Sequence, residues 1–254
     1  MVGVNTDKSN RPIRTDSLPP RWLPVEPQEP SVNLYQDEIT IATVLRSGGM
    51  FDPSWVDKLY RGVARHLHRD FRFVCLTDFT TGFKEDVEII PLKHKWPTKQ
   101  AKIELFRPDL DLGRVLYMDL DTVILGSLED ICSYDGMFAM LRDFSAPLRS
   151  YYGSGVMAWG PGYGESIYEA FKALPKDVRS VTYAVGGGRG DQLFINHYTP
   201  LAPHRLQDMF SSQLTSYRNV RYRCGMAADV RMVVFHGRDK PTEDMLPCVA
   251  RHWT

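Results

Sequence analysis

The chain has 254 residues, 43% of them hydrophobic and 24% charged, which suits one large α/β domain or two small ones. Lys plus Arg and Asp plus Glu both number 31, so the formal net charge is zero. No block of basic residues stands out, and nucleic acid is not expected as a partner, because such proteins present a basic face. No apolar run reaches the roughly 18 residues of a transmembrane helix. The N-terminus, Met-Val-Gly-Val-Asn-Thr-Asp-Lys, lacks the apolar core of a signal peptide, so the expected compartment is the cytoplasm. Cys75, Cys132, Cys224 and Cys248 are widely spaced without a Cys-x-x-Cys pair, which argues against a disulfide framework and a structural zinc site.

Six of the 17 prolines precede residue 31, a density that excludes a regular helix or a central strand there. Residues 1–36 are therefore expected to form an extended arm, mobile unless Trp22 and Leu23 dock on the domain. A single domain is expected over 37–254. Residues 39–45 (Ile-Thr-Ile-Ala-Thr-Val-Leu) suit a first strand, with Arg46-Ser-Gly-Gly as the loop at its carboxyl end. Asp52-Pro53 reads as a helix start, with Asp as cap and Pro at the first helical position. Trp55, Val56, Leu59, Tyr60, Val63 and Leu67 then recur at helical spacing. Strands follow over 71–77 and 87–92, a short helix over 98–106, and a strand over 115–118. That alternation predicts a mainly parallel sheet. Further on, 138–141 and 156–159 read as short strands and 164–174 as a helix. A helix is expected to open at Asp191 after Gly186-Gly-Gly-Arg-Gly, and a late strand over 231–235 ends at His236. Arg218, Arg221 and Arg223 form a small basic cluster, read as a solvated strand or loop.

The segment with most chemical content is Arg114-Val-Leu-Tyr-Met-Asp119-Leu-Asp121-Thr-Val-Ile-Leu. An apolar strand that ends in Asp-x-Asp brings two carboxylates to its carboxyl edge, where open α/β sheets bind ligands. Two adjacent anions repel, and burying them unpaired costs several kcal/mol. A divalent cation shared with substrate phosphates removes that cost. A loop-capping Asp119 beside a solvated Asp121 would explain a bare Asp-x-Asp, but the apolar runs on both sides favour the cation.

Several spaced blocks agree with this reading: Tyr117-Met-Asp119-Leu-Asp121-Thr-Val, Gly153-Ser154-Gly155-Val156-Met157, Gly190-Asp191-Gln192-Leu-Phe-Ile-Asn196, and Phe235-His236-Gly237-Arg238-Asp239-Lys240-Pro241. In order and spacing the chain resembles retaining glycosyltransferases of family 8, the glycogenin and lipopolysaccharide galactosyltransferase group, over about residues 38–241. The resemblance implies a GT-A nucleotide-diphospho-sugar transferase fold, a mixed and mainly parallel central sheet flanked by helices. It implies sugar transfer from a nucleotide diphosphate sugar, with uridine the expected base, to a hydroxyl on a glycan, a lipid-linked glycan or a protein, with retention of configuration. Asp119, Asp121 and His236 would hold the metal. Two carboxylates and one imidazole suit Mn²⁺ better than Mg²⁺, which prefers all-oxygen shells. Thr43, Lys102, Leu120, Ser154, Gly237 and Lys240 would join Asp119 and Asp121 around the nucleotide. In particular, Lys240 would pair with a phosphate. Asp191 and Gln192 would serve the reacting sugar and the acceptor, although Asp191 also suits a helix cap. The family often carries an acidic residue three positions before Asp191, where this chain has Gly188.

Two other readings compete. Asp119-Leu-Asp121-Thr-Val also fits the first motif of a haloacid-dehalogenase-type phosphatase, with Asp119 as nucleophile. Against it, the motif lies mid-chain and Ile195 occupies the place of a second acidic residue after Asp191. The second alternative is a non-catalytic sugar-nucleotide or glycan-binding protein on the same scaffold.

Overall fold

The computed structural model describes residues 38–97, 99–144, 152–174, 190–222, 227–242 and 245–254. The proline-rich segment 1–36, Thr98, the glycine run before Gly190 and Arg223 with Cys224 lie outside the described residues.

The apolar runs of the first half become the centre of a seven-stranded sheet. β1 (Ile39–Leu45), β2 (Phe71–Thr77), β3 (Glu88–Pro91) and β4 (Arg114–Met118) stand in the order β3-β2-β1-β4, all parallel. β4 then meets β7 (Tyr152–Trp159) antiparallel. β6 (Phe138–Arg142) and the two-residue β8 (His204–Arg205) complete the sheet. Mixed and mainly parallel, this is the sheet the sequence leads one to expect. The strand expected over 156–159 runs four residues further back, to Tyr152. That extension brings Ser154 and Gly155 alongside the end of β4.

Both faces of the sheet are covered, as uninterrupted apolar strands require. Alternate residues serve opposite cores. Ile41, Leu45, Cys75, Leu116 and Met118 pack with Val56, Leu59 and Val63 of α1 (Pro53–His66). The single turn α2 (Glu129–Cys132) precedes β6. Ala42, Val74, Leu76, Val115 and Tyr117 face Ile103 and Phe106, with Ile167 and Phe171 of α3 (Glu165–Ala173) and Phe194 and Ile195 of α4 (Gly190–Tyr198). The α1 start is as expected: Asp52 Oδ1 accepts from Ser54 N at 2.9 Å, and Pro53 opens the helix.

The segment expected as a short α-helix before β4 is a 3-10 helix, Gln100–Phe106. Its Lys102 N–H reaches back three residues to the Lys99 carbonyl, and Arg107 N–H likewise to Glu104. All seven residues are buried. Glu104 fixes the segment: its carboxylate accepts from Lys93 N at 2.7 Å, His94 N at 2.9 Å and Arg107 Nη1 at 2.9 Å. The helix that carries Lys102 is therefore held by a saturated buried charge.

A second sheet was not foreseen. β5 (Thr122–Ile124), β9 (Leu214–Ser216) and β10 (Met232–Val234) form it in the order β5-β10-β9. The late strand is thus shorter than expected and belongs outside the main sheet, because β5 turns away directly after Asp121 and offers β10 an antiparallel partner. The Arg218 cluster is also corrected. Arg218 and Arg221 stand on a helix (Tyr217–Tyr222), and both face Asp239, at 2.7 and 3.7 Å.

Gly164 precedes α3 with φ of +98°, and a Cβ there would collide with the buried Phe106 ring. Strained backbone and overpacking add. Gly164→Ala is expected to lower stability by about 2–4 kcal/mol in urea unfolding, against less than about 1 kcal/mol for an alanine at an open glycine.

Candidate functional site

β1 and β4 are parallel neighbours, and the chain leaves the carboxyl end of β1 toward β2 on one side but leaves that of β4 toward β5 of the small sheet. A parallel sheet opens a crevice at such a point. A pocket of about 580 Å³ lies there, lined by Val44 of β1 and Arg46 just after it, and from the end of β4 by Tyr117, Asp119, Leu120 and Asp121. Lys102, Ser154, Gly155, Asp191, Gln192, His236, Gly237 and Lys240 also line it. All the predicted site residues except Thr43 therefore meet in one pocket. Thr43 is fully buried, and its hydroxyl donates to the Met118 carbonyl at 2.9 Å, tying β1 to β4 beneath the pocket floor. Leu120 lines the pocket while also packing into the core.

The buried centre is Lys102. Its ammonium donates to Asp119 Oδ1 at 2.9 Å, Asp191 Oδ2 at 3.0 Å, and the carbonyl and hydroxyl oxygens of Ser154 at 3.1 and 3.2 Å. Burial pulls its pKa down, but Asp119 and Asp191 outweigh that and hold it above its ordinary value. Asp191 mirrors this: burial pushes it up, yet Lys102, the Ser154 hydroxyl at 2.8 Å and the Gln192 N–H keep it below the usual carboxylate range. The helix starts one residue earlier than expected, at Gly190, so Asp191 stands in the first turn of α4, and its side chain binds Lys102 and Ser154. Tyr117 donates its hydroxyl to Asp119 Oδ1 at 2.5 Å. The Gly155 carbonyl accepts from Asp119 N at 2.8 Å, which ties the start of the Asp-x-Asp turn to β7.

The second carboxylate has a different partner. Asp121 Oδ2 lies 2.5 Å from Lys240 Nζ. Burial first, then the neighbouring Asp119 charge, pushes Asp121 up to about 6, against the downward pull of Lys240. His236 follows β10 and its Nε2 meets the Ser216 hydroxyl at 2.8 Å, with the ring stacked on Phe144. Burial, then Arg218, lowers its pKa, which favours the neutral imidazole that metals bind.

The expected metal trio is not assembled in this arrangement. Among the described residues no three His, Cys, Asp or Glu side chains come together as a metal-holding group. The physical reason is that Asp119 is engaged by Lys102, Asp121 by Lys240 and His236 by Ser216. The carboxylate pair itself suits a divalent cation, since each anion raises the need for positive charge beside the other. The expected Lys240–phosphate contact likewise has a carboxylate in the phosphate's place.

Sequence reasoning missed Arg218 and Asp143 as pocket residues, and both line the pocket beside Arg46. Asp143 is buried and accepts from Gln192 Nε2 at 3.2 Å. It follows β6 as Asp119 follows β4, so the same signal, an acid directly after an apolar strand, was available for it. Arg218 had no such local signal: it reaches the site because Gly237, with φ of +70°, lets the chain pass close to its guanidinium.

No protein-family model matches the chain, and no curated protein is similar in sequence. Solved structures do match. The glycosyltransferase GlyE of Streptococcus pneumoniae TIGR4 superposes with a TM-score of 0.54 at 13% identity, over 81% of this chain and 56% of that one. An active-site mutant of LgtC gives 0.55 at 12%, over 84% and 93%. The galactosyltransferase LgtC in complex with donor and acceptor sugar analogues gives 0.52 at 14%, over 81% and 90%. The chain therefore spans little more than half the length of GlyE but nearly all of LgtC. It has the GT-A fold of these glycosyltransferases.

A carboxyl group whose pKa is higher folded than unfolded stabilises the fold below its unfolded value, and that contribution is lost as pH rises through its folded value. For Asp121 the window runs from about 4 to about 6. Asp121→Asn should therefore match the wild type in stability near pH 4 and exceed it above pH 7, by on the order of 2 kcal/mol. Urea unfolding of both proteins across that range checks the sign.

Proposed function

We propose that this chain is a glycosyltransferase that moves a sugar from a nucleotide diphosphate sugar, with uridine the expected base, to a hydroxyl acceptor. The observation that carries the reading is the meeting of Asp119 and Asp121 with Lys102, Lys240, Arg46 and Arg218 in the crevice beside β1 and β4 of a GT-A fold. Carboxylates alone would repel a diphosphate. Paired with cationic side chains, and with a divalent cation between pocket and phosphates, they suit one. LgtC in complex with donor and acceptor sugar analogues shows that this fold accommodates both substrates in at least one enzyme. The phosphatase alternative is not favoured by this fold.

Asp119 and Asp121 would hold the cation, manganese or else magnesium, with His236 able to join once it leaves Ser216. When bound, the cation supplies charge to stabilise the departing diphosphate. The other roles fall to the chain's own groups. Arg46 and the loop after β1 border the base and ribose end, and Lys240 with Arg218 meets the phosphates. Asp191, kept ionised by Lys102, would stabilise positive charge developing at the anomeric carbon and orient the donor sugar. Gln192, tied to Asp143, would position a hydroxyl of donor or acceptor. Retention of configuration follows from the family resemblance.

Thermal shift with UDP tests the reading directly, because a ligand bound only by the native state adds its binding energy to stability. UDP with Mn²⁺ should raise the midpoint by several degrees, and UDP with a chelator far less. Equal stabilisation in both would remove the cation from the reading, and no stabilisation by any nucleoside diphosphate would remove the donor. Asp191→Asn should retain UDP–Mn²⁺ affinity within a few-fold while donor hydrolysis or transfer falls roughly tenfold or more. Asp121→Asn should lose both binding and turnover.

A further inference from the structure

Two lysines neutralise the two carboxylates of the Asp119–Asp121 pair, and they are built differently. Lys102 is only 7% exposed and donates to Asp119, Asp191 and Ser154, which satisfies all three of its hydrogens. It is a fixed part of the pocket wall. Lys240 is 19% exposed, and its only side-chain ion pair among the described residues is with Asp121. Its backbone is held on both sides, by Asp239 bound to Arg218 at 2.7 Å and by the buried Pro241. The side chain alone therefore has to move for the pair to open. The Phe51 ring, which also lines the pocket, lies 5.7 Å from Nζ and offers the ammonium a second favourable face.

We infer that Lys240 is an internal counter-ion which a divalent cation displaces from Asp121 and which the donor's diphosphate then receives, so that cation and nucleotide bind cooperatively. The inference rests on the reading of the pocket as a cation and diphosphate site. With the cation alone, Lys240 loses its carboxylate and faces a divalent charge. With the nucleotide alone, drawing Lys240 away leaves Asp121 buried, unpaired and close to phosphate. With both ligands, each charge has a partner. The coupling is reciprocal by linkage: the factor by which Mn²⁺ tightens UDP equals that by which UDP tightens Mn²⁺.

Lys240→Gln removes the internal competitor. Free Mn²⁺ is counted by its electron paramagnetic resonance signal, and UDP binding by calorimetry. The variant is expected to bind Mn²⁺ without nucleotide about tenfold or more tighter than the wild type, and its coupling factor should shrink by a similar amount. Lys240→Arg, which keeps the charge, should behave as wild type. If Lys240→Gln binds Mn²⁺ alone no more tightly while UDP–Mn²⁺ binding persists, the inference is overturned and the function reading stands. If neither protein binds Mn²⁺ even with UDP present, both are overturned. The wild type gives an answer without any variant: independent binding of Mn²⁺ and UDP would also overturn the inference.

Discussion

The pocket depends on one buried ammonium. Lys102 bonds to a residue at or beside one end of each of β4, β7 and α4: Asp119, Ser154 and Asp191. Two carboxylates at those positions would repel each other, and their strand and helix ends would splay. A fully donating cation between them reverses the sign of that interaction. It also explains why the neighbouring elements are so constrained. The 3-10 helix that delivers Lys102 is itself pinned by Glu104, whose oxygens are saturated by two backbone N–H groups and Arg107. A chain of charge compensation therefore runs from the loop before the 3-10 helix into the Asp119–Asp191 side of the pocket.

The same compensation divides the pocket by rigidity. Around Lys102 the ammonium, Asp191 and Ser154 are buried, Asp119 is about a third exposed, and every donor of the ammonium is used, so this half of the pocket is preformed. Around Asp121 the partner is a single half-buried lysine on the rim. Preformed polarity costs little reorganisation when charge develops in a transition state. An exchangeable partner, by contrast, lets charge change hands when ligands enter. Both properties come from the same residue types, and the difference lies in how many neighbours each ammonium contacts.

Much of this was legible in the sequence, for reasons that are local. β1 to β4, α1 and the edge position of Asp119 follow from apolar runs and an Asp-Pro start, which are decided within about ten residues. The grouping of Ser154, Asp191, His236 and Lys240 came from spaced blocks resembling a known family rather than from periodicity. What stayed hidden is long-range. The antiparallel entry of β7 beside β4, the separate β5-β10-β9 sheet and the reach of Arg218 into the pocket depend on pairings between segments more than thirty residues apart in the case of β7 and β4. Thr43 does not line the pocket because strand alternation turns its side chain inward, while Val44 lines the pocket and Arg46 follows at its mouth. The metal trio followed from the family resemblance, supported by residue type, and neither reveals that each ligand already has a partner.

The two acids of Asp-x-Asp belong to different sheets. Asp119 closes β4 of the large sheet. Asp121 opens β5 of the small one, and its carbonyl accepts from Phe235 N on the segment that carries His236 and Lys240. One residue, Leu120, separates the two architectures. The small sheet thus carries Asp121, His236, Gly237 and Lys240 as one cassette, while the large sheet and its helices carry Asp119, Ser154 and Asp191. Substitutions in the remote apolar filling of the small sheet, at Val123, Val233 or Val249, would alter the spacing between cassette and frame without touching any polar group in the pocket. The geometry of the pocket is thereby adjustable from a distance, through the seam at Leu120.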